Sequence, residues 1–148
     1  MAWNNDFSSG DVLTAANLNN LGTWTAFTPS WTNLTVGNAS QSFYYSQIND
    51  TLLIEGTFTW GSTTSITSSL VRLQLPTGTT GDSATGFLQM RDVGVATRAG
   101  YVTYSGGELV LQYFNVAGSI INLANVNSTS PHTWIATDWW RISAIVKI

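Results

Sequence analysis

Along most of the chain, hydrophobic and polar residues alternate with a period of two, the pattern of half-buried β-strands. In the segment TLLIEGTFTWG, residues 51–61, the apolar residues of one face are Leu52, Ile54, Phe58 and Trp60. The same alternation predicts further strands over 40–48, 70–75, 84–96, 100–104, 108–115, 119–124 and 139–148. Because no helical pattern interrupts these strands, we predict an all-β fold, an antiparallel β-sandwich of jelly-roll type.

A short helix is predicted in front of the first strand, over residues 15–21. Thr14 is a favourable N-cap, and Gly22 stands where a helix commonly ends in glycine. Isolated helices shorter than about 12 residues are marginal in water, so this one needs another surface to pack against. The apolar residues available for that contact are Leu13, Leu18 and Leu21.

The residues before the helix form no periodic pattern. They carry two aromatic side chains, Trp3 and Phe7, among asparagine, aspartate, serine and glycine. We therefore divide the chain into an N-terminal attachment arm with the short helix, residues 1–26, and a β-sandwich domain, residues 27–148.

Several predicted strands carry apolar residues on both faces. In the last strand, DWWRISAIVKI, a core stripe is formed by Trp140, Ile142, Ala144, Val146 and Ile148, yet the opposite face is also partly apolar. Single exposed hydrophobic residues are normal, but a repeated two-faced pattern favours a second buried surface, most simply a symmetric neighbour. The candidate residues for this subunit interface are Tyr44, Leu53, Trp139 and Ile145.

The composition excludes several classes of partner. Charged residues make up 9% of the 148 residues and the net charge is −3, with the basic residues scattered singly, so no nucleic-acid footprint is present. The chain contains no cysteine, no secretory signal pattern and no apolar run of membrane-spanning length. We expect a soluble protein made in the cytoplasm, without nucleic-acid or membrane partners.

No catalytic pattern is visible in the sequence. His132 is the only histidine, no two acidic residues form a close pair on one strand face, and no nucleophile, phosphate-loop or metal-ligand spacing occurs. We predict that the protein is not an enzyme and that it holds no metal and no cofactor.

Ligand binding is a separate question, because aromatic side chains can stack on sugar rings and the chain has seven tryptophans. Trp60 and Trp140 fall on core stripes of their strands. Trp31 alternates into its strand, and the arm and its junction contain Trp3 and Trp24. Of the remaining two, Trp139 lies on the candidate subunit face, so Trp134, in the segment NSTSPHTW, is the candidate for contact with a ligand.

Short motifs in the first half of the chain resemble phage and prophage structural proteins, mainly minor tail and fibre-like proteins of phages that infect Gram-positive and actinobacterial hosts. The similar segments are GDVLTAANLNNL (10–21), FTPSWTNLTVGNAS (27–40), FYYSQINDTLLIEGTFTWGSTTSI (43–66) and a strand ending in Leu-Pro (70–76). The final strand, 138–148, also looks like the closing strand of that family. The resemblance implies a virion surface protein, commonly homotrimeric, with an outward β-sandwich and an N-terminal segment attached to the particle.

A tail fibre gains its length from a shaft, and only residues 22–26 separate the predicted helix from the domain. This favours a homotrimeric capsid decoration or cement protein on the virion surface, with the major capsid protein or tail proteins as partners. The alternative is a short tail-tip or head-fibre module that binds host-surface glycan.

Overall fold

The computed structural model describes residues 22–117 and 119–148. Within these ranges the chain forms twelve β-strands and no helix. They are β1 (Thr25–Phe27), β2 (Trp31–Thr32), β3 (Leu34–Thr35), β4 (Ser40–Ile48), β5 (Thr51–Thr59), β6 (Ser65–Ile66), β7 (Arg72–Gln74), β8 (Ser83–Asp92), β9 (Ala96–Ser105), β10 (Glu108–Ala117), β11 (Ile120–Asn125) and β12 (Trp139–Lys147). The predicted helix over 15–21 lies outside the described residues. So do the candidate attachment residues of the arm, which are Trp3, Phe7, Leu13, Leu18 and Leu21.

The strand pairings in the described part of the chain are antiparallel, which confirms the predicted all-β class. The main sheet runs in the order β1-β4-β5-β12-β8-β9-β10-β7-β2, with β11 paired to β10, while β3 and β6 form a separate small sheet. The last strand, β12, lies between β5 and β8 and pairs with both along its whole length. The C-terminal strand is therefore central to the sheet.

The sheet curls around its core, because its two ends come into contact. Trp31 of β2, at one end of the strand order, packs against Phe58 and Trp140 in the middle, with ring centroids 5.2 and 6.0 Å away. Its indole Nε1 also donates a hydrogen bond of 2.7 Å to Oε1 of Gln41 in β4, near the other end. We call the side of the sheet that faces this core the inner face and the opposite side the outer face.

The predicted core stripe of the last strand is confirmed. Trp140, Ile142, Ala144 and Val146 are each at most 2% exposed and lie on the inner face, while Ile148, just after β12, is partly buried against the same core. They pack with other buried residues of the neighbouring strands, including Leu52, Ile54, Phe58, Leu88 and Met90.

One predicted strand is wrong at its end. Residues 84–96 were predicted as one strand, but β8 ends at Asp92 and β9 begins at Ala96 after a turn in which Gly94 has φ +87°. Valines on either side of Gly94 imitate strand alternation, although the glycine supplies the left-handed conformation of a hairpin turn. Among the described residues the first strand, β1, starts at Thr25, two residues before the predicted start of the domain, and pairs with β4.

On the inner face, the backbone at Gly56 of β5 lies close to an aromatic ring of the neighbouring strand. A Cβ at this position would overlap the ring of Phe43 in β4. We expect Gly56→Ala to lower the free energy of unfolding by about 1–3 kcal/mol, the usual range for an overpacked core. Denaturant unfolding measures this change.

The neighbouring variant Thr57→Ala is the control, because Thr57 points to the outer face and its loss should cost little. When Phe43 is first replaced by leucine, Gly56→Ala should lower the free energy of unfolding by less, because the ring that the new Cβ would overlap is absent. An unchanged stability of Gly56→Ala would contradict this packing.

Candidate functional site

The outer face of β4, β5, β12 and β8 holds a row of side chains that lie opposite one another. Tyr44 pairs with Glu55, Glu55 with Ser143, and Ser143 with Phe87. Tyr44 and Phe87 are 45% and 52% exposed, so two aromatic rings flank a polar centre on an open surface.

A groove of about 450 Å³ lies in this region, between Tyr44 and Phe87. Its other lining side chains are mostly polar: Ser42, Glu55, Thr57, Gln89, Arg141 and Ser143. Exposed aromatic rings can stack on flat apolar surfaces, and the polar groups between them can donate or accept hydrogen bonds. The groove has the chemistry to contact either a sugar or another protein surface.

The structure brings three of the four predicted interface residues together on the outer face. Leu53 lies directly opposite Ile145, which is 52% exposed, and Tyr44 lies one row away along the neighbouring strand. Trp139 is on the same face but at the far end of β12, where the guanidinium carbon of Arg141 lies 4.7 Å from its ring centroid. The interface itself stays a prediction.

A second apolar surface was not predicted from the sequence. It lies on the hairpin of β10 and β11, where Phe114 pairs with Leu123 and Val116 with Ile121. All four side chains are 44–68% exposed and share the outer face with Gln112, which pairs with Tyr101 of β9. We call these four residues the hairpin patch.

The hairpin patch is exposed because the hairpin extends past its neighbour. β9 pairs with β10 only as far as Tyr113, so the patch residues of β10 have β11 as their ladder partner. Alternation alone predicts both strands of the hairpin but gives no sign of where the adjacent strand stops. Contiguous exposed apolar groups of this kind mark interaction surfaces more often than isolated ones do.

Trp134 does not offer a surface for a ligand, contrary to the prediction. It is only 9% exposed, and its ring stacks on Trp60 with centroids 5.2 Å apart. Its indole Nε1 donates a 2.8 Å hydrogen bond to the carbonyl oxygen of Asn127. The aromatic residues of the core surround this ring, so Trp134 stabilises the fold, and Tyr44 and Phe87 replace it as candidate stacking residues.

Next to Trp134, the structure gathers His132 with two aspartates. Asp138, fully buried before β12, accepts hydrogen bonds of 3.0 Å from the backbone N–H groups of Val93 and Ile135. Nε2 of His132 lies 3.6 Å from Oδ2 of Asp138, and Asp92 lies at the end of β8 beside both. In the sequence His132 has no acidic neighbour that marks a site, because Asp92 is brought to it only by the pairing of β8 with β12.

Burial lowers the pKa of His132 below its usual value, and Arg98 acts in the same direction, while the carboxylates of Asp92 and Asp138 oppose that shift. The imidazole is therefore neutral near pH 7, and each of its nitrogens can act as a hydrogen-bond or metal-binding group according to its protonation. This partly buried cluster is chemically distinct from the open groove on the outer face.

No protein-family model, curated protein or solved structure matches the chain. Across residues 22–117 and 119–148, no helix is both long and apolar enough to cross a membrane. The structure presents two features with functional potential: an outer face with exposed aromatic and aliphatic side chains, and a partly buried cluster of one histidine and two aspartates.

Proposed function

We propose that this chain is a structural protein of a phage virion and forms a homotrimer through its outer face. The observation that carries the proposal is the exposure of large hydrophobic side chains on neighbouring strands of that face, with Phe87 and Ile145 each 52% exposed. Such a surface favours burial against another protein. The motifs that resemble phage structural proteins support the same interpretation. We take the curled sheet to be the predicted β-sandwich of jelly-roll type.

The outer face suits a second copy of the same chain because it carries both signs of charge. Glu55 of β5 and Arg141 of β12 are diagonal neighbours in the strand register. Within the described residues, the ion pairs involve neither of them. In a symmetric contact, Arg141 of one subunit can therefore meet Glu55 of the next, and few other charges would need to lose their water.

The N-terminal arm is proposed as the attachment to the particle, either to the major capsid protein or to tail proteins. Its aromatic residues, Trp3 and Phe7, are the proposed anchors. Each arm would lose conformational freedom on binding, so a single contact is weak. Three arms on one trimer make the second and third contacts effectively intramolecular, which gives lasting attachment without strong single contacts.

Deleting residues 1–20 tests the arm. We expect the truncated protein to remain a folded oligomer and to lose co-sedimentation with phage particles that lack the protein, whereas the full chain co-sediments. The double variant Trp3→Ala/Phe7→Ala should weaken binding in the same direction. Undiminished binding by the truncated protein would contradict an attachment role for the arm.

A second candidate function is recognition of host-surface glycan by a short tail-tip or head-fibre module. The observation that favours it is the groove between Tyr44 and Phe87, where two exposed rings flank polar side chains. On this alternative, residues 22–148 alone bind host cells or cell-wall glycan, and Phe87→Ala weakens that binding. In both cases we propose a binding or structural role without catalysis, so the glycan is recovered intact.

A further inference from the structure

The cluster of Asp92, His132 and Asp138 joins distant parts of the chain. Asp92 is the last residue of β8, His132 belongs to the irregular segment after β11, and Asp138 comes directly before β12. One potential ligand atom from each residue lies within 4.8 Å of the other two. Because the residues come from three segments, anything bound between them would tie those segments together.

His132 is a buried polar side chain without a hydrogen-bond partner. Its side chain is only 8% exposed, and neither Nδ1 nor Nε2 forms a hydrogen bond. The nearest carboxylate oxygen, Oδ2 of Asp138, is 3.6 Å from Nε2, which is beyond hydrogen-bond distance. Buried polar groups in folded proteins almost always have a partner, so an imidazole in this state points to a missing one.

Asp138 has the features of an oriented ligand. Its carboxylate is fully buried, and the backbone N–H groups of Val93 and Ile135 each donate to one of its oxygens. Each oxygen keeps a free lone pair, and among the described residues its only ion-pair contact is His132. Carboxylates that ligate a metal ion are typically held in place by hydrogen bonds of this kind.

We propose that Asp92, His132 and Asp138 bind a first-row divalent metal ion, with zinc as the best match. One imidazole nitrogen and two carboxylate oxygens suit zinc, whereas calcium and magnesium prefer oxygen ligands alone. Three protein ligands leave a coordination position for water. The ion would neutralise the buried carboxylate, give His132 its partner, and fix the segment before β12 against the end of β8. This role goes beyond the proposed virion function and does not depend on it.

The test is zinc binding by the full chain after removal of metal with a chelator and dialysis. Calorimetric titration with zinc chloride should give one zinc ion per chain, and zinc should raise the temperature of thermal unfolding. Asp92→Asn keeps the size of the side chain but removes its charge, and should weaken zinc binding at least about 10-fold. His132→Gln should do the same.

Asp82→Asn is the matched control. Asp82 is exposed and pairs with Lys147 at 3.4 Å, away from the cluster, so zinc binding should be unchanged. Asp92 is only partly buried at the end of β8, so its variant should fold even if His132→Gln does not. Absence of zinc binding by the wild-type chain, or equal binding by Asp92→Asn and the wild type, would overturn the proposal.

Discussion

Replacing Ile145 with lysine is expected to convert the proposed trimer into monomers. Ile145 lies on the outer face of β12, directly opposite Leu53, and is 52% exposed in the single chain. In the assembly each lysine would place an unpaired ammonium group in a buried contact, at a cost of at least about 3 kcal/mol. Light scattering at micromolar concentration would measure the drop in mass.

Val95→Lys is the control for this substitution. Val95 is 76% exposed, but it lies in the turn between β8 and β9, away from the outer face. It should leave the mass unchanged. The variant Ile121→Lys places a lysine in the hairpin patch and shows which of the two apolar surfaces forms the interface. If Ile121→Lys dissociates the oligomer and Ile145→Lys does not, the subunits meet at the hairpin. The outer face around Ile145 is then not the interface.

The second large effect is a loss of stability when Trp140 of β12 is replaced, whereas replacement of the adjacent Trp139, on the opposite face, should cost little. Trp140 is fully buried and packs against Phe58 and Trp60 at centroid distances of 5.4 and 5.3 Å. Trp140→Ala should lower the free energy of unfolding by about 3–5 kcal/mol, the usual cost of emptying a large aromatic site in a core. A loss of this size is a large part of the stability of a domain.

Trp139→Ala is the matched comparison, because it removes the same side chain one residue earlier. Trp139 lies on the outer face, partly covered by Arg141. Its loss should cost the isolated chain about 1 kcal/mol or less. Urea unfolding of the two variants, at a protein concentration too low for assembly, measures both losses of unfolding free energy. Equal costs for the two variants would mean that the strand does not have the faces described here.

The sequence predicts the faces of the long strands well. In β12, Trp140 and Ile142 alternate with Arg141 and Ser143. Because side chains of a strand alternate with a period of two, only one orientation of β12 buries the first pair and exposes the second. The fold class follows from the same pattern. The turn at Gly94 escapes this reasoning, because valines on both sides of it continue the alternation while the glycine reverses the chain.

Features that depend on contacts between distant segments could not be predicted. Whether Trp134 faces solvent depends on the position of Trp60, more than seventy residues earlier in the chain. The proximity of Asp92 to His132 depends on the pairing of β8 with β12, and the exposure of the hairpin patch depends on where β9 ends. Local patterns carry no record of such pairings, so sequence reasoning found single residues and missed the clusters they form.

The central claim is that the outer face joins copies of this chain in a trimer. The most direct test is the native mass of the full-length protein at micromolar concentration, measured by light scattering or native mass spectrometry. We expect a species with three times the mass of one chain. A single-chain mass at this concentration, with Ile145 accessible to solvent, would contradict it.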